Sequence, residues 1–133
     1  MKSPPPVRVV AAVIKREGRV LICERPLEKR HGGLWEFPGG KIESGETVPQ
    51  AVRRELSEEL GVVVTAVGSL LSVVHDSGSP FQIEFYAVEV RGEPECREHA
   101  RLAWVAPGDL LQYPLAPSDR SFSRSLGDRL GAG

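Results

Sequence analysis

The chain has 133 residues, is 41% hydrophobic, and balances 17 basic against 18 acidic side chains for a formal net charge of -1. That length suits one domain with a real core, and the even charge argues against a general affinity for nucleic-acid polymers or anionic membranes. A polyanionic small ligand would therefore need a local device such as a metal.

Two isolated cysteines, Cys23 and Cys96, form neither a disulfide framework nor a zinc spacing, and the opening MKSPPPVRVV has no long apolar core. With no apolar run near the ~20 residues of a membrane span, the expectation is a cytoplasmic protein with reduced thiols. Residues 1–6, including the stiff SPPP, read as an extended tail before a single domain over 7–130.

In chain order, Val7–Ile14 is a β-branched, nearly continuous apolar run and predicts a central strand. A turn at Gly18 and the return VLICER predict a hairpin, followed by the basic loop RPLEKRHGG and an extended LWEFPGG. Thr47 to Leu60 predicts a helix, with Thr47 and Gln50 as a capping box, Pro49 in the first turn and Gly61 as the stop. VVVTAVGSLLSVVHD reads as strand with a break near Gly68, DSGSP as a turn, and Phe81–Val90 as an alternating strand. A polar loop, a short strand RLAWV, a short helix from PGDLL and a last helix over Ser118–Leu130 complete the chain. Strands and helices mixed without strict alternation predict an α/β sandwich around a mixed sheet.

On the helix, Val52, Leu56 and Leu60 form a buried stripe, and Glu55, Glu58 and Glu59 form an acidic stripe centred roughly 110° away. Acids at this spacing repel one another, and those in the last turn oppose the helix dipole. A hard divalent cation would offset both effects. The same three acids are also how a solvated face balanced by Arg53 and Arg54 is written. Gly39-Gly40 permits close backbone approach, although the pair is also an ordinary turn, and Arg54 is placed to pair with Glu46 or another acid.

Gly40, five residues, Glu46, seven residues, then RELSEELGV meets every fixed position of the Nudix box. The chain therefore resembles the Nudix hydrolases. LWEFPGGKIE, VAAVI, VLICERP and LQYPLAPSDRSF resemble the MutT and CTP pyrophosphohydrolase types of that family, covering roughly Val7 to Leu126.

The resemblance implies a Nudix α/β/α sandwich and a Mg²⁺-dependent reaction, with Mn²⁺ as substitute, that converts a nucleoside triphosphate and water to a monophosphate and pyrophosphate. It implies Glu55 and Glu59 as main metal ligands, joined by Glu58, Glu98 and the Gly39 carbonyl. Glu55 or a loop acid would be the general base; Glu98 is the first choice of loop acid, with Glu93 and Glu95 as competitors, and Arg54 would orient a catalytic glutamate. Arg25, and more weakly Arg30, would meet phosphate or nucleotide, Phe37 would lie against the base, and backbone from Glu36 through Pro38 to Gly39 would add hydrogen bonds.

Read without the family, Arg25 is a strand-end arginine, Glu98 a loop acid and Phe37 a core aromatic. Trp35, Trp104 and the three scattered histidines read as structural. Asp119 stands where MutT carries a base-reading asparagine; ionised, it only accepts hydrogen bonds, which leaves 8-oxo-dGTP and CTP or a modified pyrimidine both open as substrates. A silent nucleotide-binding module would ordinarily lack box acids, and all are present here. The expected partner is the nucleotide alone, with no nucleic-acid polymer and no membrane, for a monomer or homodimer.

Overall fold

The central strand of the fold, β1 (Val7–Arg16), has both faces covered, which explains its unbroken apolar run. The computed structural model describes residues 4–75 and 78–131, with side chains as far as residue 126. The first three residues of the expected tail, and residues 76 and 77 of the expected DSGSP turn, lie outside the described residues.

The order is β1, β2 (Arg19–Glu24), β3 (Trp35–Glu36), β4 (Gly39–Lys41), α1 (Val48–Leu60), β5 (Val63–His75), β6 (Phe81–Arg91), β7 (Arg101–Val105), a 3-10 helix (Pro107–Gln112) and α2 (Pro117–Gly131). The sheet is mixed. β1 runs parallel to β6 and antiparallel to β2 and β4, while β5 pairs with β6 and β7 with β2, both antiparallel. No helix among the described residues is long and apolar enough to cross a membrane.

The hairpin expected from Gly18 is present but short. Glu17 and Gly18 both take positive φ, as a tight two-residue turn requires, and only Lys15 and Arg16 pair across to Val20 and Arg19. β1 and β2 then part, and the segment Trp35–Lys41 crosses the gap. β3 pairs with β2, the Pro38 carbonyl accepts from Ala12 N–H at 2.8 Å, and β4 pairs with β1. This crossing brings Gly39 and Gly40 under α1.

Alternate residues of β1 serve two cores. Val10, Ala12 and Ile14 pack with Leu21, Cys23, Val88 and the α1 residues Ala51, Val52, Leu56 and Leu60. Ala11 and Val13 pack on the other face with Val20, Ile22, Trp35, Phe37, Phe85 and Phe122 of α2. There the Phe85 and Phe122 rings stack at 4.2 Å, and Phe37 meets both edge-on.

The expected helix begins as read. Thr47 and Gln50 exchange the capping-box hydrogen bonds, and Gly61 closes the helix in the left-handed conformation. The strand expected to break near Gly68 instead runs through, with register shifts between Val64 and Ala66, Val67 and Leu70, and Leu70 and Ser72. Bulges absorb the irregularity without ending the pairing.

One buried carboxylate lies on β6. Glu84 is 3% exposed and accepts from Arg8 Nε and Nη2 at 2.6 and 2.8 Å, from Tyr86 Oη at 2.9 Å and from Gln82 Nε2 at 3.2 Å. The Arg8 guanidinium in particular holds it below the usual carboxylate range. Its folded-state pKa is depressed, so this stabilisation is present above the ordinary carboxylate pKa and is lost as pH falls through the lowered one. Arg8→Ala is expected to cost about 1–3 kcal/mol in urea denaturation at neutral pH, because Glu84 stays buried with neutral partners only. The loss should shrink in acid.

Candidate active site

Arg54 organises the exposed flank of α1. Its Nε donates to Glu46 Oε2 at 2.7 Å, Nη1 to Glu55 Oε1 at 2.7 Å, and Nη2 to Glu46 Oε1 and the Lys41 carbonyl at 2.9 and 3.0 Å. Glu43 and Glu58 lie further off, at 3.7 and 3.6 Å. One guanidinium thus ties the loop before the helix, strand β4 and the helix itself together. Arg54, helped by the Glu43 backbone N–H, pulls Glu46 down to about 2, and the glutamates raise Arg54 further above its ordinary value.

Glu59 is in the opposite situation. Helical-wheel geometry puts it beside the buried stripe, but the structure buries it to 3% exposure. The β6–β7 loop covers it, with Glu95 N–H on the Leu60 carbonyl and Arg97 N–H on the Glu59 carbonyl. Burial, then the adjacent Glu55 carboxyl, then the charges of Glu36 and Glu98, push Glu59 up to about 10. Its Oε2 is buried without a hydrogen-bond partner among the described residues.

Gly40 faces this cluster. A Cβ there would stand 2.5–2.6 Å from the Glu55 carboxylate, and a Cβ on Gly39 would overlap the Val10 carbonyl. Both glycines are therefore required by close approach.

The donor set is oxygen-only and acidic, and it includes a buried carboxylate oxygen with no partner. These features fit a hard divalent cation. No three such side chains among the described residues already converge on one point. Arg54, bonded to Glu55, supplies a positive charge at the edge of this donor set.

On the other side of the Trp35–Lys41 segment lies a cavity of about 810 Å³, whose lining includes Val9, Ala11, Phe81, Ile83, Arg25 and Asp119. Arg30, Glu36, Phe37, Gly39 and Gly40 also border it. Arg25 is held by two groups: its Nε donates to the Arg30 carbonyl at 2.6 Å and its Nη1 to the Glu36 carboxylate at 3.2 and 3.3 Å. Asp119, in the first turn of α2, is 9% exposed and accepts the Phe37 N–H at 2.8 Å. Phe37 is itself 3% exposed and part of the α2-side core.

The sequence-derived residues thus fall in two groups. Arg54, Glu55, Glu59 and Glu98 gather at α1, with Glu58 half-exposed at the rim. Arg25, Arg30, Glu36, Phe37 and Asp119 border the cavity, and Gly39 joins the two. Pro38 is fully buried, its carbonyl bonded to Ala12.

Sequence reading took His99 as structural, and the fold buries it between Glu36 and Glu59; its position next to Glu98 was the available signal for more. Lys41 was passed over, and its ammonium sits 5.4 Å from the Phe81 ring at the cavity wall.

Comparison with known proteins places this arrangement. The NUDIX domain family model matches residues 4–126. The chain is 43% identical over 116 residues to the CTP pyrophosphohydrolase of Escherichia coli, covering 85% of each. It is 37% identical over 121 residues to a putative 8-oxo-dGTP diphosphatase 2 of Mycobacterium tuberculosis, covering 89% of this chain and 86% of that one. Among solved structures, the MutT NUDIX hydrolase of Burkholderia pseudomallei superposes with a TM-score of 0.79 at 35% identity, over 91% of this chain and 98% of that one.

Proposed function

This chain belongs to the NUDIX domain family, and from that premise we propose that it is a Mg²⁺-dependent nucleoside triphosphate pyrophosphohydrolase. The reaction is NTP + H₂O → NMP + pyrophosphate, by cleavage of a phosphoanhydride bond. The observation that carries the reading is the buried Glu59 carboxyl beside Glu55, its Oε2 without a hydrogen-bond partner among the described residues, with Gly40 standing between Glu55 and a cavity of nucleotide size.

Glu55 and Glu59 would hold the cation, with Glu58, Glu98 and the Gly39 carbonyl as further oxygen donors; Mn²⁺ would serve in place of Mg²⁺. When bound, such an ion neutralises phosphate charge and makes its water a better nucleophile. Arg54 keeps Glu55 and the Glu46 loop in register through the hydrogen bonds described above. Since Arg54 already takes one Glu55 oxygen, we assign the proton of the attacking water to Glu98, which is exposed yet near enough to Glu59 to act on its ionisation. Arg25 supplies a guanidinium at the cavity for phosphate. The apolar floor of Val9, Ala11 and Ile83 suits a base, with Asp119 and the Phe37 backbone at its edge.

We take removal of oxidised nucleotides such as 8-oxo-dGTP, in the cytoplasm, as the first reading of substrate. CTP or a modified pyrimidine triphosphate is the second; it is favoured by the acceptor character of Asp119, which suits an exocyclic amine, and by the similarity to a CTP pyrophosphohydrolase. The protein would act alone or as a homodimer, without nucleic-acid polymer or membrane.

A panel of 8-oxo-dGTP, dGTP, CTP and dCTP with Mg²⁺, ranked by kcat/KM from released pyrophosphate, tests both levels. The expected result is release from at least one, with 8-oxo-dGTP first. CTP ranking first would transfer the assignment to the second reading. No release from any of the four would end the proposal.

A further inference from the structure

His99 belongs to neither group of residues used above, yet it physically joins them. Its side chain is 5% exposed, Nε2 lies 3.0 Å from Glu36 Oε2 and 3.7 Å from Glu59 Oε1, and Nδ1 is buried without a hydrogen-bond partner among the described residues. The loop that carries it is seated firmly. Arg97 Nη1 donates to the Ser57 carbonyl at 3.2 Å, Arg97 N–H to the Glu59 carbonyl at 3.2 Å, and Ala100 N–H to the Glu24 carbonyl at 2.9 Å. The imidazole is thus placed by its backbone on both sides.

Nε2 is within hydrogen-bond distance of Glu36 Oε2, and Glu59 Oε1 lies against the same edge of the ring. Glu36 is in turn bonded to Arg25 at the cavity. Arg25, Glu36 and His99 are thus hydrogen-bonded in series from the cavity, and the imidazole at the end of the series packs against the acid at the back of α1.

We propose that His99 is a positioning residue that braces the Glu59 carboxylate for a divalent cation and links it, through Glu36, to the arginine at the cavity. This rests on the cation role proposed for Glu59. A carboxyl group walled on one side by an imidazole that is itself hydrogen-bonded to Glu36 has fewer orientations to lose when it binds an ion. Residues that orient ligands in this way typically set metal affinity by 10–100-fold.

The test is Mn²⁺ binding to the nucleotide-free protein, read by electron paramagnetic resonance, for wild type, His99→Ala, His99→Gln and His99→Asn, with melting curves alongside. Gln extends an N–H to about the reach of Nε2, whereas the shorter Asn ends near the position of Nδ1. Expected are a 10–100-fold weaker Mn²⁺ affinity for His99→Ala and His99→Asn, and recovery to within a few-fold of wild type for His99→Gln. A merely structural histidine would give lower melting temperatures with Mn²⁺ affinity unchanged in the folded variants, which overturns the inference. Equal affinities for the Gln and Asn variants would overturn it as well, and this pair stays informative if the alanine variant does not fold. Wild-type protein that binds no Mn²⁺ would remove the cation role of Glu59 itself, a failure distinct from the others because it needs no variant.

Discussion

Glu59→Gln is expected to melt higher than wild type in metal-free buffer at neutral pH while losing on the order of 10³-fold in kcat. The two halves of this result share one cause. Glu59 is buried and pushed up to about 10, first by burial and then by Glu55 and the neighbouring acids. Between the ordinary carboxylate value and that raised one, the folded chain keeps a proton that the unfolded chain releases. The unfolded state then binds fewer protons, so stability falls as pH rises across this interval.

Glutamine holds the neutral, hydrogen-donating form permanently and flattens that slope. At this chain length each kcal/mol recovered is worth about 3–5 °C in Tm. The catalytic loss follows because a bound cation supplies several kcal/mol of charge stabilisation, at about 1.4 kcal/mol per tenfold in rate. Adding Mg²⁺ should raise the Tm of wild type and leave the variant unmoved, since only the form that binds is stabilised. Scanning calorimetry from pH 5 to 9, with and without Mg²⁺, measures all of it; a variant less stable than wild type at pH 8 would contradict the account.

The second large effect separates two adjacent glycines. In Gly40→Ala the new methyl must displace the Glu55 carboxylate, which it would otherwise approach to 2.5–2.6 Å and which Arg54 holds at 2.7 Å. The obstacle is the end of a side chain, so the fold should survive. A ligand moved by about 1 Å costs roughly 10²-fold in rate. In Gly39→Ala the methyl meets the Val10 carbonyl, and backbone on the central strand cannot yield in the same way. Overpacking and an unfavourable φ of +153° together should cost about 3–5 kcal/mol, enough to detach β4 from β1. The expected outcome is a folded, slow Gly40→Ala and a poorly folded Gly39→Ala, distinguished by near-UV circular dichroism alongside kcat. Equal loss of structure in both would show that Glu55 cannot yield either.

What was legible in the chain was local. The capping box at Thr47, the left-handed stop at Gly61 and the stripe of Val52, Leu56 and Leu60 are set within a few residues of one another, so spacing suffices to read them. The continuous apolar run of β1 announced a strand covered on both faces. The burial of Glu59 was not legible, because it depends on a loop some forty residues later folding back over the end of α1. The setting of His99 was hidden for the same reason: it lies beside Glu36 and Glu59, distant in sequence and brought together only by the crossing of Trp35–Lys41. The parallel pairing of β1 with β6 is equally non-local. At β5 the sequence registered the disturbance at Gly68 but not its form, since a glycine marks a bulge and a strand end alike.

The Trp35–Lys41 crossing also has an evolutionary reading. One short run of backbone turns Gly40 toward Glu55 and offers the Phe37 N–H to Asp119 on its opposite side. With the roles proposed above, cutting and choosing would be served from opposite sides of one shared segment. Substitutions in the Pro117–Asp119 turn or the Arg25–Arg30 loop would retune which nucleotide is preferred while the acids of α1 stay as they are, so a lineage built on this scaffold is free to change diet without relearning its chemistry.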